Sequence, residues 1–304
     1  MNATMFFGTL ELGIIYAILS LGLYISFRVL DMPDLTVDSS FVTGAAVSAM
    51  LCVNGHAFLG LLMALIAGGS TGVITALLHT RLKIQMLLSG ILSMLALYSI
   101  NLKIMHGTPN IPLINDITIF TYFGDILAKD YTKIIIASCI LIFCLAVLFL
   151  FLNTKLGFAI RATGNNEYMA RAQGINTDVM KLVGLAISNS LVALSGAILA
   201  QYQSLTDIGM GVGIIVIGLA SIMIGEVLFR ANSMLTILIS IVLGSIIYRG
   251  IIAIALQMGM PPTDLRLISA IIVALALSIP ELKERFVRKK DRIAVTIMQR
   301  RRRI

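Results

Sequence analysis

Charge is what this chain has least of. Asp, Glu, Lys and Arg together make up 12% of its 304 residues, against roughly 25% in an ordinary soluble domain. With 58% hydrophobic residues and a mean hydropathy of +0.98, a soluble globular protein is excluded. Cysteine is scarce as well. Cys52, Cys139 and Cys144 form no C-x-x-C and no metal-ligand spacing, so neither a disulfide framework nor a metal site is indicated. No G-x-x-x-x-G-K-[ST] phosphate loop occurs, so the chain does not bind ATP in that way. There is no H-E-x-x-H, nucleophile elbow or Cys–His constellation, and His56, His79 and His106 all fall at the ends of apolar runs. A membrane-embedded hydrolase is therefore disfavoured. The interiors of the apolar runs hold no lone Asp or Glu, with Glu11 and Glu226 near run ends. Proton- and cation-coupled carriers generally need a buried ionisable relay, so this absence argues against a secondary carrier. The first basic residue is Arg28, so no charged region precedes the first apolar run and no cleavable signal peptide is expected.

What is present is a series of apolar runs long enough to cross a bilayer, which takes about 20 helical residues. They lack the alternation of an outer-membrane barrel. The expected fold is an all-α polytopic membrane protein with nine spans, at roughly 7–27, 37–54, 57–78, 84–105, 131–152, 179–201, 210–229, 233–253 and 264–280. The stretch 111–124, with Pro112 and Asp116, reads as an external loop. Placing the N-terminus outside puts 18 of the 23 Lys and Arg on the inner side, among them Arg28, Arg81, Lys83, Lys155 and Lys181, and leaves Lys103, Lys129, Lys133, Arg249 and Arg266 outside. Basic residues favour the side that is not translocated, so the orientation is N-out, C-in. The net charge of +8 belongs to this topology and to a basic tail, and does not indicate nucleic-acid binding. Residues 1–280 form one transmembrane domain with a polar segment at 155–178 inside it. Residues 281–304 form a basic cytoplasmic tail, suited to anchoring on anionic lipid. The location is the cytoplasmic membrane, with the bilayer itself as one partner.

Two spans are interrupted. The second opens with Asp31-Met32-Pro33-Asp34-Leu35-Thr36-Val37-Asp38-Ser39-Ser40, and the seventh with Asp207-Ile208-Gly209-Met210-Gly211-Val212-Gly213. The alternating glycines disfavour helix by about 1 kcal/mol each relative to alanine. Five spans separate the two, which puts them in opposite orientation. Broken helices at matching positions of inverted halves point to a translocation pathway at the midplane. Its expected lining is Asp38, Ser39, Ser40 and Thr43 from the second span, Asn189, Gln201 and Tyr202 from the sixth, and Asp207, Gly211 and Gly213 from the seventh. Asn189 reads equally as an interhelical hydrogen bond, and Gly68-x-x-x-Gly72 as close helix packing. Asp34, Asp38 and Asp207 are expected to be exposed at span mouths, with no charged group deep enough to pair with a solute.

The most informative stretch is Gly157 to Ile175. Asn165 or Asn166 can cap a helix, Glu167 then sits where the helix dipole favours an acid, and Gly174 can end it in the left-handed region. A helix of about seven residues is too short to stand alone in water, so a groove on another protein is expected to receive it.

These residues resemble the cytoplasmic coupling loop of ABC-importer permeases of the branched-chain amino acid and ribose type, in which R-A-x-G-x-N is followed by an alanine-bearing helix and G-I. Here the run is Arg161-Ala162-Thr163-Gly164-Asn165-Asn166, then Ala170, then Gly174-Ile175. Asp34-Leu35-Thr36-Val37-Asp38-Ser39 is similar to the D-L-S-V-G-S-like run of sugar members, with Asp38 in place of the glycine. Within the family the chain looks closest to the tryptophan- and tyrosine-type uptake branch. The resemblance implies that Gly157, Arg161, Ala162, Gly164, Asn165, Asn166, Glu167, Ala170 and Gly174 couple to an ATPase. It also implies a dimer of permeases, two ATP-binding cassette subunits that bind ATP and Mg, an extracytoplasmic solute-binding protein, and no cofactor or enzymatic activity in this chain. The solute would be an amino acid, aromatic or branched-chain. A sugar or nucleoside permease, or a secondary carrier or channel, is the alternative. In this architecture the binding protein selects the solute, and the permease alone is expected to bind it no better than about millimolar, near −4 kcal/mol.

Overall fold

Two helices carry the interior. The computed structural model describes residues 3–114, 116–124, 131–229 and 233–261, with isolated positions between 267 and 274. The expected ninth span, 264–280, and the basic tail lie almost wholly outside the described residues. Helix α1 (Ala3–Tyr24) continues into a π-helical turn, Ile25–Val29, and α9 spans Thr177–Gln203. Their most apolar windows are 83% and 72% buried, whereas α6 (Thr132–Leu152) is only 22% buried. The difference marks α1 and α9 as the core and α6 as a lipid-facing helix. Helices α2 (Val37–Val53) and α3 (Ala57–Thr80) pack on α9, α4 (Met86–Ile104) lies outside them, and α10 (Ile214–Leu228) and α11 (Met234–Gln257) pack on each other and on α1.

Among the described residues six helices are long and apolar enough to cross a membrane, and α2 and α10 are shorter apolar helices. Both short helices fall where the sequence is interrupted. The segment 111–124 is more ordered than a plain loop. It contributes β1 (Asn110–Pro112) and the short α5 (Ile119–Gly124). Strand β1 pairs antiparallel with β2 (Leu205–Asp207), Ile111 opposite Thr206.

Close backbone approach explains why α9 sits so deep. A Cβ on Gly44 of α2 would fall on the Ala193 carbonyl, and Cβ atoms on Gly68 and Gly72 of α3 would overlap Asn189 and Leu185. Small residues let membrane helices approach to van der Waals contact where no hydrophobic effect drives them together. The outward faces are lined by large apolar side chains such as Leu62, Ile66, Phe143 and Leu150. That pattern is expected when the solvent is lipid.

Candidate coupling surface and broken-helix site

The polar stretch at 155–178 holds two helices joined at one extended residue, Asn166. Helix α7 (Lys155–Asn165) is capped by Thr154, whose hydroxyl accepts from Gly157 N at 3.2 Å. Sequence reasoning read this half as loop, because its apolar face is short and carries glycine. Ile160 is fully buried, and Gly164 lies against the backbone of Val29 and Leu30. Asn166 is extended and caps α8 (Glu167–Ala172), its Oδ1 accepting from Met169 N at 3.0 Å. Of the two candidates for the cap, Asn166 serves, and Asn165 ends α7. Helix α8 closes as a Schellman motif. Ile175 N donates to Ala170 O at 3.1 Å and Gly174 N to Arg171 O at 3.0 Å, with Gly174 at φ +81°. Ala170 packs inward at 2% exposure.

Glu167 is tied into the protein. It accepts from Arg171 at 2.7 Å, Lys181 at 2.8 Å and Thr177 at 3.2 Å. Partial burial would raise its pKa, but the Lys181, Thr177 and Arg171 contacts outweigh that and hold the carboxyl below its usual range. Of the residues expected at this surface, Gly157, Arg161, Ala162, Gly164, Glu167 and Ala170 are buried or half-buried, and only Asn165, Asn166 and Gly174 are exposed. The residues that project furthest were missed: Tyr168 at 88% exposure and Met169 at 60%. The signal was available, since two bulky groups follow directly on a capping asparagine outside any span.

Of the broken-helix residues, Asp38 meets Gly211 and Gly213 and Thr43 donates to Ser39 O, while the others bond mainly to residues outside the set. Asp38, in the first turn of α2, accepts from Gly213 N and Ile215 N, each at 3.1 Å. It thereby caps α10 from a different helix, at an N-terminus where free N–H groups and the helix dipole favour an anion. Gly211 packs on the Asp38 carbonyl, and Gly213 supplies the φ of +83° that starts α10. Ser40 meets Thr71, Thr43 donates to Asn101, and Ser39 donates to Met94 O. Gln201 spans three elements, donating to Ser48 and Ala57 O and accepting from Ile119 N. Tyr202 donates to Glu11, and Asp207 accepts from Gly209 N in the turn after β2.

One expectation needs correcting. Asp34 is not exposed at a span mouth but fully buried, accepting from Asn189 Nδ2 at 2.7 Å and Thr36 N at 2.9 Å. The bundle also covers charged groups near span ends. Glu11 is 6% exposed on α1, and the Arg249 guanidinium of α11 lies 4.0 Å above the Tyr16 ring. Arg28 reaches from the π-helical turn to Glu226 of α10, its Nε donating at 2.9 Å.

A family profile described as branched-chain amino acid transport system / permease component matches residues 5–277. This chain belongs to that permease family. It is a transport subunit in a multi-pass membrane protein. It is 40% identical over 262 residues to a tyrosine transport system permease protein of Clostridioides difficile, covering 86% of each chain. It is 35% identical over 273 residues to an uncharacterized protein of Rickettsia prowazekii, covering 88% of this chain and 95% of that one. A ribose import permease protein of Escherichia coli is more distant, at 25% over 197 residues, 63% of this permease and 60% of the other. No solved structure matches.

Proposed function

We propose that this chain is the membrane-spanning subunit of an ATP-driven importer of an amino acid, with the aromatic amino acids as the first class to test. In this reading the N-terminus lies outside and the C-terminus inside. Residues 1–280 form the permease, with 264–280 as a ninth span, and 281–304 the cytoplasmic tail. Two copies work with two ATP-binding cassette subunits, which bind and hydrolyse ATP with Mg, and with an extracytoplasmic solute-binding protein. The observation that carries the reading is the α7–α8 corner. It is capped at Asn166 and held by ion pairs at Glu167, yet Tyr168 and Met169 stand exposed among the described residues. Exposed bulky apolar groups on an ordered element mark a contact surface. The short helices α2 and α10, joined through Asp38, support two opposed broken helices at the pathway. Identity to a tyrosine permease supports the solute class.

The test is ATP-dependent uptake in vesicles holding the permease with the ATPase and binding protein of its own genome. Tyr168→Asp combined with Met169→Asp should abolish uptake while membrane assembly stays normal. Normal uptake by that variant would remove the reading. The buried Asp34 favours a second reading, a proton- or cation-coupled carrier. Uptake driven by an imposed ion gradient without ATP would select it.

A further inference from the structure

An ionisable side chain inside a membrane-spanning helix is costly to keep there and marks function by default. Glu11 and Arg249 are two such groups on neighbouring helices. Helices α1 and α11 run antiparallel. Ser245 Oγ donates to Gly13 O at 2.8 Å, a Cβ on Gly13 would lie 3.0 Å from Ile246 Cα, and far along the pair Tyr24 Oη meets Met234 Sδ at 3.8 Å. Glu11 and Arg249 therefore stand at one level, just beyond the Gly13–Ile246 contact. They do not form an ion pair with each other. Each ends on a tyrosine: Glu11 Oε2 accepts from Tyr202 Oη at 2.8 Å, and the Arg249 guanidinium lies 4.0 Å above Tyr16. The Arg249 Nε is buried and has no hydrogen-bond partner.

Around these charges the surfaces are aromatic. Phe41 stacks on Tyr16 with centroids 6.5 Å apart, and Phe120 meets Tyr202 edge-on at 5.9 Å. The exposed Lys133 places its ammonium 4.9 Å from the Tyr202 ring. The arrangement thus offers a carboxylate, a guanidinium with no acid paired to it among the described residues, and two tyrosine rings, on the three helices α1, α9 and α11.

We propose that this cluster is a binding site for the zwitterion of an aromatic α-amino acid. The solute carboxylate pairs with Arg249, the ammonium with Glu11, and the ring packs against Tyr16 and Tyr202. One such molecule supplies an opposite charge to both groups at once. Each of its charges leaves water for an opposite charge, which removes most of the penalty for burying it. The ring gains edge and face contacts of the kind aromatic pairs prefer. A neutral sugar would leave the guanidinium unpaired. The inference rests on the amino-acid importer reading above, and it replaces the expectation of a passage with no charge to offer the solute.

The test is equilibrium binding of L-tyrosine to the full chain in lipid nanodiscs, compared with tyramine, which lacks the carboxylate, and 3-(4-hydroxyphenyl)propionate, which lacks the ammonium. In the wild type each truncated ligand should bind at least about tenfold more weakly, the loss of one charge pair. Arg249→Met should weaken L-tyrosine by a similar factor and leave tyramine unchanged. Glu11→Gln should weaken L-tyrosine and leave the propionate unchanged. The wild-type ligand comparison decides the matter even where a variant does not fold. Equal affinities for the three ligands, or no L-tyrosine binding by the wild type, would overturn the site. If another amino acid is nonetheless taken up with ATP, only the site falls. If no amino acid is, the importer reading falls with it.

Discussion

Asn189 and Asn166 are the same residue in one chain, put to opposite uses. Asn189 is fully buried in α9 and donates to a carboxylate on a distant segment. Asn166 is exposed, and its side chain serves only the helix that follows it. The difference extends to their surroundings. Within the bundle many polar side chains reach another segment: Thr36 meets Thr75, Ser40 meets Thr71, Thr43 meets Asn101 and Gln201 meets Ser48. In the α7–α8 corner the polar groups hold a local shape and push two bulky residues outward. Polar residues in lipid build the fold, because their alternative is an unsatisfied group in hydrocarbon. Polar residues in water can be spared to position a surface.

Substitutions in the two regions should therefore separate into those that cost the fold and those that spare it. The largest effect is expected at the tight helix contacts. Gly196→Leu places a side chain against the Phe41 carbonyl and should destabilise by about 3 kcal/mol, seen as loss of monodisperse protein in detergent. Gly174→Ala, at a positive φ on the surface with open space around it, should leave that profile intact. Equal losses from both would break the comparison.

A smaller effect belongs to Asp34. Asp34→Ala strands Thr36 N and leaves Asn189 Nδ2 only its bond to Leu185 O, at about 2 kcal/mol of thermal stability. Asp34→Asn keeps an acceptor and should cost less. The reverse order would mean that charge, not hydrogen bonding, is what the bundle needs there.

At the corner, Asn166→Ala should cost about 1 kcal/mol, and only locally. Amide exchange in 167–172 should quicken while the melting temperature of the whole protein holds. A general loss of protection would tie the corner to the bundle more closely than its contacts suggest.

The smallest effect is in pH. The Glu167 carboxyl is held below its ordinary value of 4.5. Its contribution is therefore fully present above that value and is lost as pH falls through the lower, folded-state value. Corner amide protection should stay level from neutral pH down to the ordinary glutamate range and decline below it. Glu167→Gln should flatten the profile, and a decline already present near neutrality would assign the effect elsewhere.

Much of the fold was legible because apolar run length is a direct measure of membrane span. The breaks before α2 and α10 were legible through Pro33 and the glycines at 209, 211 and 213. Asn166, Glu167 and Gly174 were legible because caps and stops act within a turn of themselves. What the sequence did not disclose depends on distant partners. Asp34 reads as a mouth residue until α9 is laid beside it. That Asp38 caps α10 is not visible until α10 starts against it. Glu11 and Arg249 each look like residues near a span end, and only the antiparallel packing of α1 on α11 sets them level. The π-helical turn at Ile25–Val29 leaves no pattern in an unbroken apolar run.

The Asp34–Asn189 bond also sets a timetable for synthesis. Its partners are 155 residues apart, and a ribosome adding about 5–20 residues per second needs roughly 8–30 s to cover that distance. For that interval the nascent chain holds a carboxyl group beside α2 and α3 with no asparagine to meet it, and the glycine faces of both helices have no α9 to fill them. The insertion machinery, or the first helices clustering among themselves, must shelter that acid until the sixth long apolar stretch emerges.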